Sequence, residues 1–477
     1  MNANEQKLCA VSEMDASCRV PLLALFGGAA LWLVAGLALS VLASLTFHKP
    51  DLFADCACLT YGRLQPAAND LILYGFCIPA ALGVVLWVFV RLSQAPLCLP
   101  LLPVVGANLW HLGVIGGTIA ILAGESTGFT WLEYPRIASV LLLAAFVLVA
   151  LSIFGTFGWR HHRELHVSHW FLLAAMLWFP WIYAAANFFL VICPVRGAAQ
   201  AVIDWWYTNN LLFVWLALVG VGIAFYFLPK FAGRMLYNHY LALFAFWTLI
   251  IFGTWCGIPQ GAPVPAWLPA LSTVAAALVI VPIVAIAKIT LKTVRGSHAQ
   301  CKGGPFCYLK FGTAAFVLSS ALYIVQACPH FSRTVEFTWF GPAQTQLQLL
   351  GFFAVVVLGA AYELLPRVMG FELPYPKVVR FQHWCFIAGL ALLVGSLAAA
   401  GVVQGMKLAD PKIGFEQASA ATLVAFRVST TGLLFLLAGS LLFAANILVM
   451  TARWKFGLLK TCLAAATAPL EIKEVRS

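Results

Sequence analysis

Long apolar runs separated by short polar turns are the main pattern of this chain. Twelve such runs occur, and each has about the 20 residues with which an α-helix crosses a bilayer core of about 30 Å. We therefore predict an all-α polytopic membrane protein, a twelve-helix transmembrane bundle. The predicted spans are 21–45, 71–91, 101–123, 137–158, 168–193, 206–228, 240–256, 268–291, 308–327, 344–365, 381–405 and 428–450.

The segments outside these spans are too short to form a second folded domain. Residues 1–19 are polar, and the apolar run at 20–45 is longer than the apolar region of a cleaved signal peptide. We predict a cytoplasmic N-terminal segment at 1–19, a single twelve-helix transmembrane domain at 20–452, and a cytoplasmic C-terminal tail at 453–477.

Composition and charge agree with a membrane location. Hydrophobic residues make up 62% of the chain and charged residues only 9%, whereas about 25% of residues in soluble domains are charged. With both termini cytoplasmic, 20 of the 28 Lys and Arg residues lie in cytoplasmic segments and 8 lie in the opposite segments. The positive-inside rule therefore accounts for the net charge of +11 without a nucleic-acid partner.

Two motifs flank the sixth and seventh predicted spans. The sequence Trp-Trp-Tyr-Thr-Asn-Asn begins at Trp205, and Gly-Ile-Pro-Gln begins at Gly257. This order resembles subunit I of the cbb3-type cytochrome c oxidases, a branch of the haem-copper oxidase superfamily. There the motifs read Trp-Trp-Tyr-Gly-His-Asn and Gly-Pro-His-His, and the three His hold the active-site copper. The resemblance places Asn209, Pro259 and Gln260 at copper-ligand positions.

The resemblance covers about residues 55 to 455 and includes the haem-ligand positions. The segment 59–69 is similar to a family segment whose His is an axial ligand of the low-spin haem, and Ala68 stands there. By the same comparison, Gln344 and Gln346 stand at the positions of the His residues that bind the high-spin and the low-spin haem. Phe316 stands at the position of a Tyr that is joined covalently to a copper ligand in the family.

The resemblance implies two b-type haems, one copper ion, and reduction of O2 to water with proton translocation, fed by c-type cytochromes. Haem iron takes His, Met, Cys or Tyr as protein ligands, and copper takes imidazole or sulfur groups. The methyl, amide and pyrrolidine groups at the six vacated positions supply none of these. We therefore expect neither haem nor copper in this chain, and no catalytic residues.

Other groups of metal-ligating side chains lie outside these motifs. Cys56 and Cys58 could bind a soft metal, pair with Cys193 or Cys328, or pack as small apolar residues, and the last is the commonest behaviour of free cysteine. The four His residues within 161–169 lie among arginines, which favours a basic interfacial turn over a metal site.

Charged residues in two further loops suggest surface interactions. Glu125 and Glu133 follow the third span, and we expect them to be solvated or bound to Arg136, with a bound cation as the alternative. The loop before the ninth span is the most basic of the chain and is typical of an anionic-lipid or partner surface. The cationic side chains in this loop and at the adjoining ends of the two spans are Lys288, Lys292, Arg295, Lys302 and Lys310.

The sequence leaves three functions open. The first is an accessory membrane subunit of a respiratory electron-transport complex, without redox centres of its own, which packs against other respiratory subunits such as a c-type cytochrome subunit. The second is an active terminal oxidase that reduces O2. The third is a transporter or channel that reuses the vacated cavity. In each case the chain would lie in the lipid bilayer of a bacterial inner membrane.

We predict that both termini are cytoplasmic. A fluorescent reporter that folds only in the cytoplasm should be active when fused after Ser477, and a phosphatase reporter that folds only in the periplasm should be inactive at the same site. The opposite pair of activities would contradict both the number of spans and the orientation.

Overall fold

The computed structural model describes residues 3–161, 164–296 and 304–467, and within these ranges the chain is helical without β-strands. Twelve long helices follow one another in sequence. The first six are α1 (Ala3–Leu45), α2 (Tyr61–Ser93), α3 (Leu101–Ala123), α4 (Arg136–Gly158), α5 (Val167–Ile192) and α6 (Ala198–Ala232). The others are α7 (His239–Gly253), α8 (Trp267–Val294), α9 (Pro305–Ala327), α10 (Phe340–Met369), α11 (Pro376–Leu408) and α12 (Leu423–Thr467).

Each predicted span is matched by one of these helices. Eleven of the described helices are long and apolar enough to cross a membrane. The exception is α7, whose 15 residues extend only about 22 Å. The prediction of an all-α twelve-helix membrane bundle is confirmed. Short helices at Pro50–Phe53, Ala57–Leu59, Pro329–Val335 and Phe415–Ala420 lie in the connections.

The first and the last helix of the chain extend beyond their predicted spans. Helix α1 begins at Ala3, so the described part of the polar segment 1–19 forms the first turns of this helix. The salt bridge between Asp15 and Arg91, at 3.5 Å, ties this extension to the end of α2. Helix α12 continues through part of the predicted tail, as far as Thr467.

Three helices, α2, α6 and α10, form the centre of the bundle. The most apolar 18-residue windows of α2 and α6 are 100% buried and that of α10 is 89% buried, whereas those of the other eight spanning helices are 44–50% buried. The outer helices therefore face lipid on one side and enclose the three central helices on the other.

Each central helix contains a π-helical turn, which is rare and is frequent at functional sites. These turns are Leu71–Cys77 in α2, Asn210–Trp215 in α6 and Leu347–Ala354 in α10. Side chains bond carbonyl groups within them: the Trp110 indole donates to the Tyr74 carbonyl at 2.6 Å. All three turns lie towards the end of the bundle where α2, α6 and α10 begin, which we call the cavity end.

Most of the described cysteines are unpaired. Ten of the described cysteines are free, and they include Cys56, Cys58, Cys193 and Cys328, which are all exposed. Cys307, near the start of α9, is disulfide-bonded, a pairing that the spacing of the cysteines did not predict.

Candidate functional site

Three adjoining cavities lie at the cavity end. Cavity A, of about 490 Å³, lies between α1, α2, α10, α11 and α12. Cavity B, of about 240 Å³, lies between the α7–α8 connection, α9 and α10, and cavity C, of about 140 Å³, lies between α6, α9 and α10. Thr345 on α10 lines all three cavities, so they meet at this helix.

Most of the sequence-predicted positions are brought together here. Asn209 and Gln344 line cavity C, Pro259 and Gln260 line cavity B together with Gln344, and Gln346 lines cavity A. These residues come from three different parts of the chain, yet they border one continuous group of cavities. The positions derived from the family resemblance therefore share one region of the structure.

The Asn209 side chain is fully hydrogen-bonded. It lies one residue before the π-helical turn of α6 and is 5% exposed. Its Nδ2 donates to the Gly253 carbonyl at 2.8 Å, and its Oδ1 accepts a hydrogen bond from the Tyr323 hydroxyl at 2.8 Å. A Cβ on Gly257 would lie 2.5 Å from the Cβ of Asn209. Asn209 thus joins α6 to the end of α7 and to α9, with both polar atoms of its side chain in use.

The second copper-ligand motif is tied to the start of α8. Gln260 donates from Nε2 to the Thr273 hydroxyl and to the Pro269 carbonyl at 3.3 Å. The Ile258 amide, two residues before Gln260, donates to the Ser272 hydroxyl at 3.0 Å. These bonds hold the chain between α7 and α8 against cavity B.

Glutamines of α10 occupy the space between α6 and α9. Gln344 donates to the Ser319 carbonyl at 3.4 Å. Gln348 accepts from the Ser319 hydroxyl and donates to the Leu212 carbonyl at 3.3 Å, within the π-helical turn of α6. The Gln346 Oε1 is buried and has no hydrogen-bond partner among the described residues. The amide network is therefore satisfied on the α6 and α9 side and incomplete towards cavity A.

Two of the predicted positions do not line a cavity. Ala68 is fully buried, and its carbonyl lies beside Gly36 of α1, while the neighbouring Gln65 and Asn69 line cavity A. Phe316 packs on Phe352, with ring centroids 4.6 Å apart.

Tyr323, two turns along α9 from Phe316, lines cavities B and C, and the sequence analysis missed it. Its spacing from Phe316 along one helix was the only available signal, because its partner Asn209 lies more than a hundred residues away in the sequence.

None of the described histidines lines cavities A, B or C, and several already have partners. His111 of α3 accepts from the Trp32 indole at 3.1 Å through Nδ1, and through Nε2 it donates to the Ala24 carbonyl at 3.0 Å. In the turn before α5, His166 Nδ1 accepts from the Ser168 amide and caps the helix. Burial, with His239 and Lys230 nearby, lowers the pKa of His166 to about 4. His162 lies outside the described residues, and no group of three metal-ligating side chains occurs within the described ranges.

The expectation for Glu133 was wrong. Glu125 is exposed, but Glu133 is only 7% exposed, and this burial raises its pKa to about 7. Among the described residues Arg136 forms no salt bridge with either carboxylate. Its guanidinium instead donates to the Val191 and Ile192 carbonyls. The nearest acidic neighbour of Glu133 is instead Asp70 of α2, a fully buried carboxylate. The loop folds back over the bundle beside Trp131, which lines cavity A, and this removes Glu133 from solvent.

Comparison with known proteins agrees with this fold. The sequence model of the family described as Cytochrome C and Quinol oxidase polypeptide I matches residues 20–435. The chain is 25% identical over 388 residues to the Cbb3-type cytochrome c oxidase subunit CcoN1 of Stutzerimonas stutzeri, covering 79% of this chain and 81% of that protein. It is also 25% identical over 447 residues to a cytochrome c oxidase subunit 1 homolog of Azorhizobium caulinodans, covering 89% and 80%.

Comparison with a solved structure supports the same fold. A heme-copper terminal oxidase dimer determined by cryo-EM matches with a TM-score of 0.72 over 91% of this chain and 84% of that chain, at 14% sequence identity. Since the family model matches most of the sequence, this chain belongs to the family of Cytochrome C and Quinol oxidase polypeptide I, within the haem-copper oxidase subunit I superfamily.

Proposed function

We propose that this chain is an accessory, cbb3-type subunit I-like membrane subunit of a bacterial respiratory complex, and that it has no redox centres of its own. The observation that carries the proposal is the chemistry of the cavity walls. Within the described part of the chain, the residues lining cavities A, B and C include no His, Cys or Met. The family membership supplies the respiratory context, and the relatives named above are cytochrome c oxidase subunits.

The side chains at the cavity end do not fit haem. Cavity A has a volume suitable for a cofactor. However, none of its lining residues carries a charge, and Tyr61 is the only described residue among them of a type that can bind haem iron. A haem also carries two carboxylate groups, and burying them without cations would be costly. We therefore propose that cavity A holds no haem.

The side chains do not fit copper either. Copper in proteins is held by imidazole or sulfur ligands, whose orientation depends on neighbouring hydrogen bonds. At the copper-ligand positions Asn209 and Gln260 offer neutral amides, and these amides already bond Gly253, Tyr323 and the start of α8. Their hydrogen bonds connect helices, which is a structural role.

The two other functions that the sequence left open have less support. An active oxidase needs the ligands that the cavity walls do not supply. A transporter needs a route through both halves of the bundle, whereas cavities A, B and C all lie at one end. The accessory function requires only that the shape of subunit I be kept, and the overall match of the helical fold supports this.

A structural role for the amides predicts a loss of stability when they are removed. Asn209→Leu leaves the Tyr323 hydroxyl without its buried acceptor, and Tyr323→Phe leaves Asn209 without its donor. We expect each to lower the free energy of unfolding in detergent by about 1–3 kcal/mol, and the double variant to lose less than the sum. The control is Thr345→Val, which changes a cavity wall and should stay within about 0.5 kcal/mol. A neutral or stabilising Asn209→Leu would mean that the amide is kept for another reason.

Membership of a complex predicts co-purification. When the chain is tagged and expressed at its native level, mild detergent should extract it together with other respiratory membrane subunits, among which we expect a c-type cytochrome subunit. An unrelated multi-pass protein of the same membrane, tagged in the same way, is the control for non-specific capture. Recovery of the chain only as a free monomer would contradict the proposed role.

A further inference from the structure

A groove between α8 and α9 lies far from the cavities described above, at the opposite end of the bundle. It has a volume of about 330 Å³ and is walled mainly by apolar side chains, among them Leu291 and Val294 of α8 and Ala314 and Val317 of α9. Among the described residues, Lys310 is the only charged one in its wall. The groove opens on the outside of the bundle, since Leu291 is 69% exposed and Ala314 is also exposed.

The position of Lys310 along α9 places it near the membrane surface. It is the sixth residue of the helix, which begins at Pro305, so it lies about 8 Å from the helix end. Val294, which lines the same end of the groove, is the last residue of α8. From Lys310 the groove continues to Val317, about 10 Å deeper. It therefore begins at the depth of lipid head groups and continues into the hydrocarbon.

The charge around the mouth of the groove has one sign. Neither α8 nor α9 contains an Asp or Glu residue. Lys288 and Lys292 lie one turn apart on α8, Arg295 follows the end of the helix, and all three are exposed. No salt bridge involves them among the described residues. Lys310 is also exposed and has the Phe306 ring at 5.4 Å. Basic pockets between membrane helices bind the head groups of anionic lipids.

An unpaired hydroxyl lies beside this charge. Thr290 also lines the groove, and its Oγ1 is buried without a hydrogen-bond partner in the described structure. By contrast, the Thr313 hydroxyl on the facing helix is bonded to the Leu309 carbonyl at 2.9 Å. Leaving a buried hydroxyl unpaired is unfavourable. A phosphate or ester oxygen near Lys310 would give the Thr290 hydroxyl an acceptor after a small rotation.

We propose that this groove binds one anionic phospholipid, with the phosphate on Lys310 and an acyl chain between α8 and α9. The groove has a volume of about 330 Å³ and walls that are apolar except for Lys310, Thr290 and Thr313, which suits one acyl chain beside a charged head group. The uncompensated positive charge selects a lipid of net negative charge over a zwitterionic one, which carries its own cation. This inference does not depend on the proposed accessory function.

The test uses the purified full-length chain, stripped of lipid, with phosphatidylglycerol and phosphatidylcholine of identical acyl chains. Native mass spectrometry counts bound lipids, and thermal unfolding reports stabilisation. The unsubstituted chain should retain one phosphatidylglycerol more tightly than phosphatidylcholine. Lys310→Gln should weaken retention of phosphatidylglycerol about fivefold, the effect of about one interfacial charge, and should leave phosphatidylcholine unchanged. Lys310→Arg should preserve the preference.

Two further variants distinguish binding of a lipid in the groove from a general effect of surface charge. Ala314→Phe fills the groove from an exposed position and should abolish tight retention without lowering the stability of the lipid-free chain. Lys377→Gln is the matched control, because Lys377 is an exposed lysine at the start of α11 that lines none of the described cavities. It should change nothing.

Three results would overturn the proposal. The first is equal retention of both lipids by the unsubstituted chain. The second is a loss in Lys377→Gln as large as that in Lys310→Gln, which would indicate general surface charge. The third is stabilisation by inorganic phosphate alone that equals the lipid effect and persists in Ala314→Phe, which would indicate an anion site without an acyl-chain groove.

Discussion

The burial of α2, α6 and α10 at the centre of the bundle is the constraint on which the rest of the structure depends. In a bilayer, apolar side chains gain nothing by leaving lipid for protein, so helices associate through close packing and hydrogen bonds. Gly220 of α6 shows the closeness of this packing, because a Cβ there would lie 2.4 Å from the Phe352 ring of α10. The polar groups that the central helices carry must then find partners inside the bundle.

Asn209, Gln344 and Gln348 meet that demand at the cavity end. Their amides bond carbonyl or hydroxyl groups on neighbouring helices, so these polar side chains are buried without a large penalty. Some buried polar atoms of the central helices have no hydrogen-bond partner within the described residues, among them Gln346 Oε1, whose residue lines cavity A, and both carboxyl oxygens of Asp70. The helices around them have the arrangement of the haem-copper oxidase subunit I fold.

The helices could be predicted from the sequence because the lengths of apolar runs are fixed by bilayer thickness. The π-helical turns could not be predicted. The central helices are apolar on every side, so an extra residue in one turn causes no visible shift in the pattern of apolar and polar positions. The burial of Glu133 was missed for a related reason: its local sequence is that of a loop, and only the folding of that loop over the bundle places it beside Asp70. Tyr323 was missed because its contact with Asn209 joins distant parts of the chain. Motif spacing did bring five of the seven predicted positions to the cavities, since each motif is rigidly attached to a helix end.

The central claim is that this chain keeps the subunit I architecture without haem or copper, and an optical spectrum of the purified chain with a metal analysis tests it most directly. On reduction with dithionite, we expect no Soret or α band and no stoichiometric copper. A spectrum of a b-type haem with two axial histidines that belongs to this chain, or one copper per chain, would contradict the account and support a working oxidase.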